Sequence, residues 1–402
     1  MDATSCKIDK RVFETVLRRE MLDDAINVLD VKELNLSKKG LNFFSELFQV
    51  FVEYRSGCGN EKSMDAIVKL ESSDEYNRDM ARRQDMFLVE LKMMRDVLPE
   101  IKKLVGRPIG PWLLYGSDDP ATLVMENLTT RQFVMKCRQK GLPFDHCRQV
   151  VQLLAKLHAG SIALYEKDPE IVESFRNGGV VSAKCPPSYL RLMEVSLLRI
   201  GREMLQWSDE KCVRAAAKLI DLSKSIGRRC VEVYEYDSNE FCVLNHGDCW
   251  INNMMFKENE KGQPVDVLLL DYQMAVYASP VIDLLYFLNI CPELDVRYDN
   301  DDYFLDVYLG TLRETMETIG CKRKPLTNRQ LEEMIHKKRI YAVFAGIVLS
   351  LRMLANPEDT ETFSEALKDR LGETEMDVFK NPDAARLAKK MIPVMDERGY
   401  LD

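Results

Sequence analysis

Several features that mark other classes of protein are missing from this sequence of 402 residues. A net charge of −9 and the lack of a basic stripe argue against a nucleic-acid-binding protein. The 11 cysteines include no C-x-x-C pair, which favours reduced thiols over disulfides or zinc ligands. The longest stretch without charge, between Arg339 and Arg352, is too short to cross a membrane. We therefore expect a cytoplasmic protein without a membrane span.

What is present is the composition of an ordinary globular protein, with 46% hydrophobic and 30% charged residues. The chain is long enough for two lobes or domains. Its first ten residues, MDATSCKIDK, have no apolar core and so do not resemble a signal peptide. Residues 7–29 are predicted to be helical, residues 48–52 and 65–70 to form a hairpin, and most of the chain after 144 to be helical. Strands followed by helices predict an α+β fold rather than alternating βαβ units.

The residues that carry chemistry concentrate between positions 243 and 288. Apolar runs bounded by turn residues predict short buried strands there, with polar groups on the connecting loops. His246, Asp248 and Asn253 follow the first run, and Asp271 ends the third. The spacing H-x-D-x-x-x-x-N, with an Asp after the next hairpin, is that of phosphoryl-transfer enzymes. In such a site one carboxylate orients the attacking hydroxyl, and Asn and Asp oxygens hold a hard cation against the phosphates.

A lysine and a glutamate earlier in the chain complete this pattern. Lys69 lies in the second strand of the predicted hairpin, where a role in contacting the nucleotide phosphates requires a carboxylate partner. Glu90 lies near the apolar face of a helix predicted from Arg83 to Leu98, which Pro99 should end. A carboxylate directed toward a core needs a partner, so we predict a Lys69–Glu90 ion pair. Two unrelated surface charges are the alternative.

The segments HGDCWINNMMF, LLLDYQ and SPVIDLLYFL resemble the ecdysteroid kinase-like family, also called the choline-kinase-like kinases. That family belongs to the aminoglycoside phosphotransferase and choline kinase clan, whose fold is similar to that of protein kinases. The resemblance implies two lobes, a small β-rich lobe over residues 1–128 and a larger, mostly helical lobe over residues 129–402.

The same resemblance assigns roles to the residues of the motif. It implies ATP and Mg²⁺ as cofactors, with Asp248 as the catalytic base. Asn253 and Asp271 are implied as the magnesium ligands. Asp283 resembles the clan's helix-borne Asp that supports the catalytic loop, and we expect His246 to support that loop as well.

The ATP site is implied in part by shorter segments. No G-x-G-x-x-G stretch is present, but Gly40, Asn42 and Ser45 resemble the family's shorter Gly-Asn-aromatic-x-Ser turn, whose backbone N–H groups and hydroxyl contact phosphate. The strand Thr122–Met125 resembles the one before the hinge between lobes, where the backbone pairs with adenine. The expected ATP-binding residues are Lys69, Glu90, Ser45, Glu126 and Leu128.

The expected function is transfer of the γ-phosphate of ATP to a small, neutral, lipophilic alcohol such as an ecdysteroid. The Cys249–Trp250 pair and the doubled Asn252–Asn253 resemble the ecdysteroid kinase-like branch. Polycations bind where carboxylates cluster, whereas residues 281–290 contain a single acidic residue. A choline or aminoglycoside phosphotransferase and a nucleotide-binding pseudokinase stay open as alternatives. A protein kinase is disfavoured because neither D-F-G nor A-P-E follows Asp271.

Overall fold

The computed structural model describes residues 9–37, 44–354 and 378–402. Its N-terminal part contains one five-stranded sheet whose neighbouring strands are all antiparallel. In chain order the strands are β1 (Asn27–Asn35), β2 (Ser45–Arg55), β3 (Glu61–Glu71), β4 (Leu113–Asp118) and β5 (Ala121–Glu126). Their spatial order is β1-β2-β3-β5-β4. The predicted hairpin is therefore β2 and β3, and both strands are longer than the sequence indicated.

The first helix is shorter than expected, and the prediction of a helix over residues 7–29 is wrong at its C-terminal end. Helix α1 (Lys10–Met21) ends where Leu22 adopts a left-handed conformation with φ of 52°. The chain then turns, and from Asn27 onward its backbone pairs with β2. Pairing with a neighbouring strand overrides the local helical pattern here. As an edge strand, β1 forms backbone hydrogen bonds with β2 on one side through alternate residues.

The helix that carries Glu90 continues past Pro99, which is a second difference from the prediction. After α2 (Glu75–Arg83), the chain runs through α3 (Met86–Lys92), a π-helical segment (Met93–Val97) and α4 (Leu98–Val105). A proline inside a helix lacks the N–H and clashes with the carbonyl four residues earlier. The wider π turn directly before it changes the hydrogen-bond register there, so the helix can pass the proline without ending.

The C-terminal part is mostly helical. Its α-helices are α5 (Phe144–Lys167), α6 (Pro169–Glu173), α7 (Pro187–Met204), α8 (Glu210–Leu222), α9 (Ile226–Val233), α10 (Val281–Ile290), α11 (Asp301–Thr318), α12 (Asn328–Lys337), α13 (Ile340–Val343), α14 (Leu351–Leu354) and α15 (Pro382–Glu397). A second π-helical segment, Phe344–Ser350, joins α13 to α14. Together with the N-terminal sheet, these helices form the α+β, two-lobed, kinase-like architecture that the sequence predicted.

Short strands interrupt the helices around the motif. They are β6 (Phe133–Val134), β7 (Val243–Asn245), β8 (Met254–Glu258), β9 (Pro264–Leu269) and β10 (Val276–Ala278). Strands β6, β8 and β9 form one small sheet, and β7 pairs with β10 in another. The predicted lobe boundary near residue 128 follows β5, the last strand of the N-terminal sheet, and it stays a prediction.

Helix α10 lies in the centre of the C-terminal part, and all ten of its residues are buried. Buried polar groups need partners, and the C-terminal end of this helix obtains one from Arg297, which is 6% exposed. The Arg297 guanidinium donates to the carbonyls of Asn289 (3.0 Å), Ile290 (2.5 Å) and Pro292 (3.1 Å) and to the Ser350 hydroxyl (2.9 Å). A cation at this position also complements the negative end of the helix dipole.

Two further findings concern the whole described chain. Among the described residues, no helix combines the length and the apolar character needed to cross a membrane. The ten cysteines in this part of the chain are free, and of these Cys58 and Cys137 are exposed.

The contacts of Arg297 predict a large loss of stability on substitution. Arg297→Met replaces the aliphatic part of the arginine with an apolar side chain but removes the guanidinium. Three buried carbonyls then have no donor. Each unpaired buried acceptor costs about 1–3 kcal/mol, partly relieved by relaxation or water. We therefore expect the free energy of unfolding, measured by urea denaturation, to fall by about 3 kcal/mol.

The matched control is Arg313→Met on the exposed face of α11. Surface substitutions of this kind change stability by about 0.5 kcal/mol or less. Equal stability of the two variants would mean that Arg297 does not hold the end of α10.

Candidate active site

The hairpin of β8 and β9 brings the two expected metal ligands to the same end of one sheet. Met254 pairs with Leu269, and the backbone carbonyl of Asn253 accepts a hydrogen bond of 2.8 Å from the N–H of Leu270. Asn253 therefore faces the residue before Asp271 across the ladder. Asp271 itself has a φ of 61°, a left-handed conformation that directs the chain out of β9.

The loop after β7 depends on Gly247. This glycine has a φ of +83°, and a Cβ on it would lie 1.9 Å from the carbonyl oxygen of Met274. No other residue fits both the conformation and the space. The close approach holds the loop against the segment that follows Asp271.

Asp283 fixes the backbone of that loop by accepting hydrogen bonds from it. Its carboxylate is completely buried and accepts hydrogen bonds from the N–H groups of His246 (2.7 Å) and Gly247 (2.8 Å). His158 Nε2 lies 3.2 Å from the same carboxylate, and His158 Nδ1 lies 2.8 Å from the Tyr308 hydroxyl. Asp283 lies in the first turn of α10, where the helix dipole also favours a negative charge.

His246 connects the loop to the end of β9. Its Nε2 donates to the carbonyl of Leu270 at 2.8 Å, and its Nδ1 accepts from the N–H of Asp248 at 3.3 Å. A carbonyl can only accept and a backbone N–H can only donate, so these partners define the neutral tautomer with hydrogen on Nε2. The ring therefore acts on the loop through its two hydrogen bonds rather than through a charge.

Both carboxylate oxygens of Asp248 are held in place. Tyr286 on α10 donates its hydroxyl to Oδ1 at 2.6 Å, and Asn253 donates its side-chain N–H to Oδ2 at 3.0 Å. Burial raises the pKa of Asp248 to about 6; the nearby Asp271 carboxylate also raises it, and the Tyr286 hydroxyl lowers it. A carboxylate with such a pKa is mostly ionised at neutral pH and is still basic enough to accept a proton.

Lys69 on β3 joins the N-terminal sheet to this site. Lys69 is 3% exposed, and its ammonium group lies 2.5 Å from Glu90 Oε2 and 2.7 Å from Asp271 Oδ1. Gln273 Oε1 lies 3.3 Å away. Burial on its own lowers the pKa of Lys69, but the two carboxylates outweigh it and raise the pKa above the ordinary value. The lysine is therefore a permanent cation between the two parts of the protein.

The remaining residues expected at the ATP site lie at the ends of two strands of the N-terminal sheet and directly after the sheet. Ser45 begins β2 opposite Glu71 on β3, whereas Gly40 and Asn42 lie outside the described residues. The Glu126 carboxylate accepts from the N–H of Trp112 at 2.8 Å and pairs with Arg131 at 3.0 Å. Its side chain is therefore engaged, and its backbone N–H also donates to the carbonyl of Trp112 at 3.0 Å.

Leu128 follows directly and begins a short 3-10 helix. Its side chain is buried in a small cluster with Phe133, Met255 and Leu268. This cluster connects the segment after β5 to the β8–β9 hairpin, which carries the motif. The segment expected to be the hinge thus lies next to the motif.

The donor set at Asn253 and Asp271 fits a magnesium ion better than a transition metal. Within the described residues no three His, Cys, Asp or Glu side chains are grouped to hold a metal. The side-chain amide nitrogen of Asn253 donates hydrogen bonds to Asp248. The side-chain oxygen of Asn253 is therefore the atom available to coordinate a metal. Mg²⁺ is typically bound by one or two protein oxygens together with waters and substrate phosphates, and this set matches that chemistry.

Sequence reasoning did not identify Tyr286 as a partner of Asp248. Helix α10 is buried on all sides, so hydrophobicity does not distinguish one of its faces from another. The available signal was the spacing: Tyr286 is three positions after Asp283, and residues three apart share a helix face. Both therefore contact the same loop.

Two solved structures that align with this chain are named as phosphotransferases. A spectinomycin phosphotransferase in complex with ADP and spectinomycin aligns with a TM-score of 0.41 and 12% identity over 97% of this chain and 100% of that chain. An ADP-bound aminoglycoside phosphotransferase aligns with a TM-score of 0.37 and 14% identity over 96% and 99%. These values are too low to support an assignment on their own.

The sequence family supports a firmer statement. No curated protein has a sequence that matches this chain. The model of the ecdysteroid kinase-like family, however, matches residues 39–321, which is more than half of the chain and includes the whole motif. The chain therefore belongs to the ecdysteroid kinase-like family.

Proposed function

We propose that this protein is an ATP-dependent small-molecule kinase that transfers the γ-phosphate to a hydroxyl of a lipophilic alcohol such as an ecdysteroid. The observation that supports this most strongly is the chain of contacts from Lys69 through Asp271 to the loop of Asp248 and Asn253. It combines a cation for phosphates, oxygen ligands for a metal and a base, which are the parts that phosphoryl transfer requires.

In the proposed mechanism Asp248 orients the acceptor hydroxyl and receives its proton. The hydroxyl oxygen forms a bond to the γ-phosphorus, the bond from this phosphorus to the bridging oxygen breaks, and ADP leaves with those electrons. Holding both oxygens of Asp248 by Tyr286 and Asn253 reduces the reorganisation needed before attack. His246 and Asp283 support the loop and do not take part in the transfer.

The nucleotide is proposed to lie between the two lobes, whose boundary we place near residue 128. Lys69, positioned by Glu90, contacts the phosphates, and Ser45 and the backbone of Glu126 and Leu128 complete the ATP site. Asn253 and Asp271 are proposed to hold Mg²⁺, which when bound neutralises charge on the phosphates.

The acceptor distinguishes this proposal from a choline or aminoglycoside phosphotransferase. A polycationic acceptor needs free carboxylates near the catalytic loop. Asp283, the acidic residue of α10, is completely buried and engaged by two backbone N–H groups and His158. It is therefore not available to bind a cation, which supports a lipophilic acceptor.

The state of the cysteines supports the cytoplasm as the location. All ten described cysteines are free, and burial raises the pKa of Cys147, Cys230 and Cys249 far above the ordinary value. Free cysteines in this number, many of them buried, are typical of a protein in a reducing compartment.

The first prediction from the proposed function concerns Asp248→Asn. The variant keeps the size of the side chain but cannot accept a proton, so we expect kcat to fall by about 10²–10⁴-fold, the usual contribution of a general base. The fall in kcat is measured as the rate of ADP formation with a panel of candidate acceptor alcohols. Unchanged turnover would falsify the role of Asp248. Retained binding of ATP with Mg²⁺ is the control for an intact fold.

The second prediction concerns pH. Asp248 has to be ionised to act as a base, so with a pKa of about 6 we expect kcat/KM to fall as the pH drops through about 6. Tyr286→Phe removes a hydrogen bond that lowers this pKa, so the acid limb should move to higher pH. Tyr341→Phe is the matched control, because Tyr341 stacks near Tyr286 but bonds to Tyr234 instead of Asp248. Identical pH profiles for the two variants would contradict the role of Tyr286.

The third prediction separates a kinase from a protein that binds no nucleotide. At 100 times its Kd a ligand stabilises the folded state by about 2.7 kcal/mol, so ATP with Mg²⁺ should raise the Tm, and EDTA should reduce the rise. Asp271→Asn should abolish the magnesium-dependent part of the shift. Asp266→Asn, on β9 and paired with Arg107, should keep it. A full shift without any turnover would instead indicate a pseudokinase.

A further inference from the structure

A cavity of about 300 Å³ lies between helices α10, α11 and α12, where the residues after α15 complete its wall. Helix α10 contributes Leu284, Leu285 and Leu288 to the wall. Asp283 and Tyr286, which contact the catalytic loop, lie on the same helix. Successive residues of an α-helix are about 100° apart, so the three leucines lie roughly opposite these two residues. The cavity is therefore separated from the catalytic loop by α10, and its volume is at the lower limit for pockets that bind small organic ligands.

The charged side chains of this cavity are mostly acidic. They comprise three carboxylates and one guanidinium, namely Asp301, Asp302, Glu332 and Arg398. The guanidinium is already engaged, because Arg398 pairs with Asp301 at 2.6 Å and donates to the carbonyl of Tyr298 at 3.1 Å. Even with a second proton on His336, which also lines the wall, carboxylates outnumber cations. The cavity therefore has a surplus of negative charge.

The Asp301 carboxylate is only half satisfied. Asp301 is 7% exposed, and its Oδ2 accepts a hydrogen bond from Arg398. Its Oδ1 has no hydrogen-bond partner among the described residues. Burial raises the pKa of Asp301 above its ordinary value, and Arg398 offsets only part of this effect. Because a buried charge is stable only when hydrogen bonds satisfy it, this carboxylate needs a further donor.

A second acceptor in the wall is in the same state. Asn289 is 5% exposed and donates its side-chain N–H to the carbonyl of Leu285 at 2.8 Å. Its Oδ1 has no partner within the part of the chain that the structure describes. Acceptors without donors, together with surplus negative charge, favour a ligand that donates hydrogen bonds and carries positive charge. An ammonium group has three N–H donors and no acceptor.

The uncharged part of the wall is mainly aliphatic. It includes Leu284, Leu285, Leu288, Leu305 and Ile335. Burying apolar area is favourable, so these side chains favour an apolar ligand body. One water molecule would satisfy a single oxygen, but it occupies only about 30 Å³. The cavity thus suits an organic amine better than water or an inorganic cation.

We propose that this cavity is a second binding site, which takes a small organic amine with an apolar body. The ammonium group donates to the Asp301 carboxylate, and the body packs against Leu305 and the leucines of α10. The terminal torsion of an Asp side chain is broad, so Asp301 can turn an oxygen toward the amine while the carboxylate stays paired. Neither Asp248 nor its partners Tyr286 and Asn253 line this cavity, so the amine is not the phosphoryl acceptor. The inference goes beyond the proposed function and does not depend on it.

The first test compares three probes that share a phenyl ring and differ in charge. They are phenethylamine, which is cationic, phenethyl alcohol, which is neutral, and phenylacetate, which is anionic. Ligand-observed NMR titration of the full chain without nucleotide measures the Kd of each probe. Hydrogen bonds to a charged donor are about twice as strong as neutral ones, so we expect the amine to bind about tenfold more tightly than the alcohol, with phenylacetate weakest. Equal Kd values for the amine and the alcohol would overturn the proposal.

Asp301→Asn tests the proposed contact directly. The variant keeps the size of the side chain and removes its charge, so we expect the Kd of phenethylamine to rise about tenfold and that of phenethyl alcohol to stay the same. Urea denaturation checks that the variant is folded, because the substitution also weakens the pair with Arg398. An unchanged Kd for the amine in the folded variant means that Asp301 does not bind it.

A double variant on the surface keeps the test decisive if Asp301→Asn does not fold. Asp302 and Glu332 are exposed, and Asp302→Asn/Glu332→Gln removes two carboxylates from the wall without changing a buried group. We expect the Kd of phenethylamine to rise about threefold, since exposed charge pairs contribute little. Glu333→Gln is the matched control, because Glu333 is paired with Arg329 and does not line the cavity. Equal Kd values in the double variant and the control would contradict the site.

Asp248→Asn separates this site from the phosphoryl-transfer centre. Asp248 contacts Tyr286 on the other side of α10, so the Kd of phenethylamine should not change in this variant. Loss of amine binding would place the amine at Asp248 and overturn the second site. Because the titrations contain no ATP, failure of the kinase proposal leaves the amine site intact, and failure of the amine site leaves the kinase proposal intact.

Discussion

The site depends on one buried carboxylate that has no contact with solvent. The Asp283 carboxylate accepts hydrogen bonds from the backbone N–H groups of His246 and Gly247. Without it these two donors would be unpaired in the core. A buried charge is stable only when hydrogen bonds satisfy it, and here the loop supplies them. The carboxylate and the loop therefore stabilise each other, and the position of Asp248 follows from this arrangement. The all-buried helix α10 carries both Asp283 and Tyr286, so a single rigid element sets the backbone and the side chain of the site.

Lys69 provides the corresponding constraint between the two parts of the chain. It contacts Glu90 on the long helix of the N-terminal part and Asp271 at the end of β9. Breaking the contact with Glu90 would leave that buried carboxylate without its cation, which is costly. The ion triad thus restricts the relative position of the sheet and the motif before any nucleotide binds. Such preorganisation lowers the entropy that binding has to overcome.

Much of this arrangement follows from local sequence patterns. The apolar run after Asn253 and the run before Asp271 predicted the two strands whose pairing places these residues at one end of a hairpin. Glu90 was expected to need a partner because it lies near an apolar helix face, and the structure places it 2.5 Å from Lys69. The elements that sequence reasoning misjudged have two different causes. Strand β1 forms because β2 is available for pairing, which the local helical pattern does not show. The helix passes Pro99 because a π turn directly precedes it, and simple rules for proline in helices do not include such a turn.

The exposed cysteines have a practical consequence. Among the described residues Cys58 and Cys137 are the exposed thiols. Cys58 lies in the turn between β2 and β3, and Cys137 lies in the C-terminal part before α5, so they are on opposite sides of the predicted lobe boundary. The Ser56 hydroxyl lowers the pKa of Cys58 and so favours its thiolate. With Cys6 replaced, because it lies outside the described residues, a donor and an acceptor fluorophore attached to these two natural positions would report the distance between the lobes as ligands bind.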